Sequence, residues 1–280
     1  VFNGKISDRS VEAHSRTKFV VQALKAVTMM AVQDERNAER FTMLDVPSAR
    51  IHVTGKMKFD LALPSDIHAT RETLGIDQNA TVIIGGSLHE GEAGIVLDAV
   101  FDPDPVSQPV VLLLAPRYVE AASEIIDAAQ RRGLFAVLKS SLDEPGTSDA
   151  RFDVCVVDTF GELRSLYSIA DVVFVGGSLF DRGSNRGGHN LMEPAICGVP
   201  VLFGPYNYSF AQIAQALETH SGGKLVRSAD ELREALGMIC GNPDTAARMA
   251  AAAREVVLAG QGATARNLAL IHGLLEQRSH

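Results

Sequence analysis

A glycine-rich stretch at residues 176–194, GGSLFDRGSNRGGHNLMEP, carries the side chains best suited to chemistry. Within it, His189, Asn190 and Glu193 bring an imidazole, an amide and a carboxylate to the predicted start of a helix. Backbone N–H groups at such a start favour an anion, and the Glu193 carboxylate can accept hydrogen bonds from ribose hydroxyls. The alternative to a ligand site is a purely structural turn, which is common in α/β proteins. Such a turn needs only glycine and a capping residue, so it does not require the three polar side chains.

The residues on either side of this stretch indicate the elements that position it. Residues 171–175, DVVFV, form a β-branched run that predicts a buried strand, and the glycines after it free the backbone to turn and to approach a ligand. From Asn190 onward the pattern is helical. The common phosphate-binding motifs do not account for the stretch, because no GxGxxG opens a helix here and the chain lacks GxxxxGK followed by Ser or Thr.

Other strand-like runs alternate regularly with helical segments. The predicted strands lie at residues 81–86, 110–115, 134–139, 153–158, 171–175 and 200–204. This alternation predicts an α/β fold with a mostly parallel, doubly wound, Rossmann-like sheet. Because ligands bind such sheets at the carboxyl ends of the strands, we expect the loops that follow the strands to converge on one edge.

Polar sets follow three of the other strands. They are Ser87, His89 and Glu92 after the first, Pro116 and Arg117 after the second, and Phe160, Gly161 and Glu162 after the fourth. Structural alternatives stay open for each set. Ser87 could cap a helix with Glu90, Arg117 could pair with a surface carboxylate instead of a phosphate, and the Phe160 segment could be a helix start instead of a base-stacking site. No metal is expected, because His89 and Glu92 do not form HExxH.

Residues 1–55 also alternate between helix and strand but are too few to close a core. We predict a helix from residue 8 to about residue 30, a strand at 31–33, a helix at 34–41 and a strand at 51–55. Since the chain opens on what looks like the end of a strand, we interpret 1–55 as the C-terminal part of an incomplete domain. A linker at 56–64 leads to a second domain at 65–258. The terminal helix at 259–280 either covers the second sheet or, as we favour, crosses back to the first domain.

Composition narrows the class of protein. The chain has 280 residues, 46% of them hydrophobic and 21% charged, which is typical of a globular protein. A net charge of -8 argues against nucleic-acid binding. The odd number of cysteines, 3, indicates neither a disulfide framework nor a zinc site. No run of about 20 apolar residues predicts a membrane span, and we expect this chain alone to be soluble.

Several motifs in order resemble those of the 3-deoxy-D-manno-octulosonic acid (Kdo) transferases, two-domain glycosyltransferases of the GT-B type. They are NGKISDRS at 3–10, TGKMKFD at 54–60, SLHEGE at 87–92, PR at 116–117, DTFGEL at 158–163 and GGHNLMEP at 187–194. The resemblance extends over most of the chain. It implies an enzyme with two Rossmann-like domains, of which 1–55 is the acceptor-side remnant and 65–258 binds the nucleotide sugar.

The resemblance also implies particular roles. Lys58 would stabilise the transition state, and the general base would lie upstream of Val1, so the fragment alone is expected to be inactive. The nucleotide-sugar-binding residues would be Pro116, Arg117, Phe160, Gly161, Glu162, Asn190, Leu191, Met192 and Glu193. Supporting residues would be Ser87, His89, Glu92, Gly187, Gly188 and His189. The implied donor is CMP-Kdo, no cofactor is needed, and the acceptor is a lipid A precursor in lipopolysaccharide core synthesis. The complete protein would associate peripherally with the cytoplasmic face of the bacterial inner membrane.

Three features depart from the family pattern: an insertion at 181–186, Tyr118 after Arg117 in place of histidine, and Lys56 in place of asparagine or serine. These positions bear on substrate choice more than on fold. Two other functions stay open. One is a different GT-B enzyme, a transferase or epimerase that uses a UDP-sugar. The other is an inert nucleotide-binding module.

Overall fold

A computed structural model describes residues 1–61, 70–101, 108–142, 151–183 and 187–278 of the chain. The strands are β1 (Met30–Val32), β2 (Ile51–Val53), β3 (Thr81–Leu88), β4 (Val110–Pro116), β5 (Ala136–Leu138), β6 (Val154–Val156), β7 (Val172–Val175), β8 (Val201–Phe203) and β9 (Gly223–Leu225). The α-helices are α1 (Asp8–Ser15), α2 (Lys18–Lys25), α3 (Glu35–Thr42), α4 (Glu92–Phe101), α5 (Ala122–Gln130), α6 (Lys139–Leu142), α7 (Leu163–Leu166), α8 (Met192–Ile196), α9 (Ala211–Thr219), α10 (Ala229–Cys240), α11 (Pro243–Ala259) and α12 (Ala263–Arg278). These elements form two compact units, the first made of Val1–Leu61 and Leu258–His280 and the second of Ala62–Val257.

The first unit is built on the short parallel pair β1 and β2, with Gly4 bridged in parallel to Val32 beside it. A small apolar core of Ile6, Met30 and Phe41 packs against this sheet. The strands and the helix predicted at 31–55 are confirmed within one or two residues. The single helix predicted from residue 8 to about 30 is wrong. Two helices, α1 and α2, occupy this region because Thr17 adopts an extended conformation between them.

The C-terminal helix α12 is joined to the first unit by hydrogen bonds. The Asp60 carboxylate accepts from the backbone N–H groups of Gly262 and Thr264. The Arg266 guanidinium donates to the Thr54 carbonyl oxygen at 2.8 Å, and the Gln261 side chain donates to the Leu61 carbonyl oxygen at 2.8 Å. Segments about 200 residues apart in the chain therefore complete one unit.

The second unit contains a seven-stranded sheet in the order β5-β6-β4-β3-β7-β8-β9, with every pair parallel. Its central strands are apolar on both faces because helices cover both sides, as expected of a parallel sheet. Leu97 of α4 and Leu236 of α10 join Ile83, Leu112 and Phe174 of the sheet in one buried cluster. The doubly wound α/β fold predicted from the sequence is confirmed.

The strand predictions in this unit are confirmed, apart from β9, which the sequence reading missed. The sequence also predicts a helix that follows the linker and ends near Gly75. It falls partly on residues 62–69, outside the described ranges, and residues 71–75 form turns. The linker predicted at 56–64 likewise lies only partly within the described residues. The assignment of acceptor-side and donor-side domains stays a prediction.

At the centre of the sheet the strand order changes direction, and we call this place the switch point. The strand β3 lies between β4 and β7, so the chain leaves β3 toward one side and leaves β7 toward the other. Loops that diverge in this way open a crevice at the carboxyl edge, where ligands bind open α/β sheets. The loop after β3 begins at His89, and the glycine-rich stretch follows β7, where residues 176–183 and 187–191 are described. Among the described residues, no helix has both the length and the apolar character needed to span a bilayer.

Candidate active site

The Glu92 carboxylate joins the two loops at the switch point. It is completely buried at the start of α4. One carboxylate oxygen accepts from the backbone N–H groups of Gly177 at 2.6 Å and His89 at 2.9 Å. The other accepts from Ser178 at 2.9 Å and Leu179 at 3.0 Å. A carboxylate with several N–H donors is well compensated for its burial, so Glu92 fixes the glycine-rich loop against the start of α4.

The structure excludes the capping box of Ser87 and Glu90 that the sequence left open. That interpretation is wrong because α4 begins at Glu92, five residues after Ser87. Ser87 instead has a positive φ of 56° and lies at the irregular end of β3. The carboxylate that bonds back to a backbone N–H group is that of Glu92, which bonds to His89.

The two loops also bring two imidazole rings together. The Nε2 atoms of His89 and His189 are 2.8 Å apart, and the rings are nearly parallel with centroids 5.0 Å apart. At this separation one ring donates a hydrogen bond and the other accepts it, so at least one ring is neutral. The edge of the Tyr118 ring faces His89, at a centroid distance of 6.0 Å.

The charges around this pair disfavour its protonation. Burial lowers the pKa of His189 to about 4, with further lowering by His89 and Arg117. Burial also lowers the pKa of His89, and the positive charges of Arg182 and Arg117 act in the same direction. Glu92 opposes these effects at both rings. The free site is therefore electrically neutral at the imidazoles and positive around them.

Two glycines allow the close packing of the histidine pair. A side chain at Gly177, where φ is 68°, would meet the His189 ring at 2.7 Å and the His89 ring at 3.0 Å. At Gly188, where φ is 77°, a side chain would meet Asn207. Both positions therefore need glycine for conformation and for space.

Pro116 and Arg117 lie at the end of β4, beside the loop that follows β3. The Arg117 backbone N–H group donates to the Leu88 carbonyl oxygen at 2.7 Å, which fixes the position of the main chain. The side chain is exposed, and its guanidinium carbon lies 5.5 Å from the centroid of the Tyr118 ring. Stacking on an aromatic ring leaves the guanidinium edge able to donate to an anion.

The segment of Phe160, Gly161 and Glu162 follows β6. The Phe160 side chain is 81% exposed, so its ring is accessible to a planar ligand. Glu162 is already engaged, because it accepts from the Thr159 hydroxyl at 2.6 Å and pairs with the Lys139 ammonium at 3.0 Å. Phe160 is thus accessible for stacking, while the Glu162 carboxylate is held in a defined position.

The residues of the NLME motif differ in their accessibility. The Asn190 side chain accepts from the Met192 N–H group and donates to the Glu193 carboxylate, both at 3.1 Å. Leu191 and Met192 are buried side chains of the core, so any contact they make with a ligand comes from their backbone. The helix predicted to begin at Asn190 is α8, which has only five residues. Its first N–H group is already satisfied by Asn190.

Lys58 lies in the first unit, on the 3₁₀-helix Met57–Phe59 that follows β2. Partial burial lowers the pKa of its ammonium group, and the positive charges of Lys56 and Lys5 lower it further. The three lysines are thus close enough to interact, and Lys56 also pairs with the Asp34 carboxylate at 3.8 Å.

The loop after β8 also belongs to the site, although the sequence reading did not identify it. The Tyr206 N–H group donates to the Ser178 carbonyl oxygen at 2.9 Å, and the Ser209 N–H group donates to the Gly187 carbonyl oxygen at 3.2 Å. Asn207 is buried and packs against Gly188. The GPYN sequence at 204–207, directly after a predicted strand, was the available signal. Within the described ranges, no three His, Cys, Asp or Glu side chains form a group able to hold a metal ion.

Comparison with solved structures identifies the class of fold. A putative UDP-N-acetylglucosamine 2-epimerase from Listeria monocytogenes superposes with a TM-score of 0.59, covers 99% of this chain and 68% of its own, and is 15% identical. That likeness concerns the fold alone. The fold is that of the GT-B glycosyltransferases and the epimerases related to them.

Comparison of sequences shows which transferases the chain resembles. The family model described as 3-Deoxy-D-manno-octulosonic-acid transferase (kdotransferase) matches residues 1–61. The 3-deoxy-D-manno-octulosonic acid transferase of Haemophilus influenzae is 28% identical over 99% of this chain and 64% of its own length. The C-terminal CMP-Kdo binding domain of WaaA from Acinetobacter baumannii is 26% identical, with a TM-score of 0.56 over 64% of this chain and 90% of that domain. The resemblance to the Kdo transferases is therefore confirmed over most of the chain, which spans less than two thirds of the Haemophilus relative.

Proposed function

We propose that this chain is part of an enzyme that transfers Kdo from CMP-Kdo to a lipid A precursor. The observation that carries the proposal is the convergence of the family motifs on one edge of the second unit. Residues from SLHEGE, PR and GGHNLMEP lie together there, although about 100 residues separate the first from the last. The likeness to a CMP-Kdo binding domain over 64% of this chain supports CMP-Kdo as the donor.

In this proposal the second unit holds the cytidine monophosphate. Arg117 binds the phosphate, because its guanidinium is exposed beside the switch point and can donate two parallel hydrogen bonds. Phe160 offers an exposed ring to the base, and the carboxylate of Glu193 accepts from the ribose hydroxyls. Pro116, Gly161, Glu162, Asn190, Leu191 and Met192 shape the surface around these groups.

Lys58 supplies positive charge to the leaving phosphate in the transition state. A fixed cation lowers a barrier most when charge develops next to it, as it does when the bond to the nucleotide breaks. The general base that removes the acceptor proton is expected from the family pattern and is not assigned to a residue of this chain. Action at the cytoplasmic face of the inner membrane is part of the same proposal.

Isothermal titration calorimetry of the 280-residue chain with CMP and with UDP tests the donor assignment. We expect CMP to bind at least about 10-fold more tightly, since 1.4 kcal/mol of selective hydrogen bonding gives that ratio. Preference for UDP would refute the Kdo assignment and would favour a UDP-sugar enzyme. Turnover of CMP-Kdo by this chain with an acceptor would exclude an inert module.

A further inference from the structure

The proposed donor carries two anions at one carbon. Its sugar is a 2-keto acid, so the anomeric carbon bears both the phosphate ester and a carboxylate. A site that binds the phosphate through Arg117 must therefore receive a second negative charge within a few ångströms. Binding that carboxylate without a donor would leave a desolvated charge, which is costly.

The histidine pair is a polar feature close enough to Arg117 to interact with it, and it suits this second anion. His189 directly precedes Asn190 of the proposed nucleotide site, and His89 follows Leu88, whose carbonyl oxygen bonds to the Arg117 backbone. The pair lies at the switch point, where the two loops meet. We propose that His89 and His189 together form the subsite for the carboxylate of the donor sugar, which they bind with uptake of one proton. This inference rests on the proposed function and deepens it.

The groups around the pair explain why an anionic ligand is needed there. Arg117 and Tyr118 face it from the end of β4, Arg182 from the glycine-rich loop, and Glu92 from α4. The Glu92 carboxylate already accepts four backbone N–H groups. Burial and these positive charges keep the rings of the free pair neutral, and the Glu92 carboxylate is already occupied by backbone N–H groups.

A carboxylate from the ligand reverses this balance. In the free site the two Nε2 atoms face each other, and one accepts a hydrogen bond from the N–H group of the other. When a carboxylate binds beside the pair, the ring that accepted the hydrogen bond gains a proton from solvent, and both Nε2–H groups then donate to the ligand. The anion raises the proton affinity of the pair because an opposite charge within about 4–6 Å favours the charged imidazolium.

The pair also has a structural reason to be rigid. Gly177 has no side chain to separate the rings, and its N–H group is held by Glu92 at 2.6 Å. The imidazoles are therefore placed by two loops that Glu92 joins. A subsite that is already ordered loses little entropy when the ligand binds.

Calorimetry with CMP and with CMP-Kdo tests the inference on the 280-residue chain. Titrations at pH 7 in buffers of different ionisation enthalpy measure the protons taken up. We expect CMP-Kdo to bind at least about 10-fold more tightly than CMP, with a net uptake of protons that CMP alone does not cause. His189→Gln and His89→Gln should each keep CMP affinity within about twofold and lose both the preference for CMP-Kdo and the proton uptake.

The control variant is His220→Gln, which changes an exposed histidine at the end of α9 and should behave like the wild type. If the wild type takes up no proton with CMP-Kdo, or if both variants keep its preference, the inference is overturned. If a histidine variant binds CMP and CMP-Kdo more weakly by the same factor, the histidine has a structural role and the inference is also overturned. A wild type that does not bind CMP would refute the proposed function, whereas the preceding outcomes refute the carboxylate subsite alone. If His189→Gln does not fold, His89→Gln decides between these outcomes.

Discussion

Replacement of Glu92 by glutamine tests how the site is held together. In the wild type, each carboxylate oxygen accepts two backbone N–H groups. Glutamine keeps one oxygen and replaces the other by an NH₂ group, which cannot accept. Two buried N–H donors therefore lose their acceptor, and the new NH₂ group faces them.

The cost follows from the number of donors affected. An unsatisfied buried donor costs about 1–3 kcal/mol, so Glu92→Gln should destabilise the folded state by about 2–6 kcal/mol. That is a large share of a typical stability of about 5–15 kcal/mol. If the glycine-rich loop opens to water, the measured loss is limited to the free energy of that opening. The affected amides then exchange through local opening.

Urea unfolding and amide hydrogen exchange measure these two responses. The matched control is Glu90→Gln, the same chemical change at an exposed position two residues away, which should stay within about 0.5 kcal/mol of the wild type. We expect the amides of Gly177, Ser178 and Leu179 to lose protection in Glu92→Gln alone. A loss below about 1 kcal/mol together with unchanged protection of these amides would refute the anchoring role of Glu92.

Four further predictions concern binding, catalysis, packing and pH. Arg117→Ala and Glu193→Ala should each weaken CMP binding by about 1–3 kcal/mol in calorimetry, and unchanged affinity would contradict their roles. Lys58→Ala should leave CMP affinity nearly unchanged but lower kcat in an active transferase that contains this chain; an effect on KM alone would contradict transition-state stabilisation. Gly188→Ala should lower the free energy of unfolding in urea by at least about 1–2 kcal/mol, because φ is positive there and Asn207 occupies the space. The control Gly183→Ala, at an exposed position with positive φ but open space, should lower it less. Because the folded-state pKa of His189 is lowered to about 4, its contribution to stability is present above about pH 6.5 and is lost as the pH falls toward 4. His189→Gln should therefore reduce the slope of unfolding free energy against pH in that window, and an unchanged slope would contradict this.

Most of the second sheet could be predicted from the sequence because its strands are continuous apolar runs bounded by polar or glycine residues. The run Val172–Val175 is buried along its whole length, as its β-branched composition indicates. By contrast, β9 is the three-residue segment Gly223–Leu225, whose central residue is Lys224 and whose first residue is glycine. Its strand conformation depends on pairing with β8, and sequence pattern does not report such tertiary pairing. The break at Thr17 between α1 and α2 was missed because apolar residues continue on both sides of it.

The residues of the site could be identified by type and position, but not their contacts. His89 and His189 were both selected from motifs, yet their direct hydrogen bond joins residues 100 positions apart. The sequence marks Glu92 only as one of several polar residues after a strand. Three of the four hydrogen bonds that its carboxylate accepts come from the loop after β7, and no local sequence pattern encodes the path of that loop. The roles predicted for the nucleotide-binding residues and for Lys58 stay predictions.

The bonds between Asp60 and the start of α12 have a consequence for the order of folding during synthesis. Residues 1–61 leave the ribosome about 200 residues before the helix whose backbone N–H groups Asp60 binds. The second unit is contiguous in sequence, so its sheet can form while α12 is still being made. The first unit must wait, with the Asp60 carboxylate and the Thr54 carbonyl oxygen hydrated until Thr264 and Arg266 arrive. Within this chain, the unit whose first segment is made before the second unit is therefore completed after it.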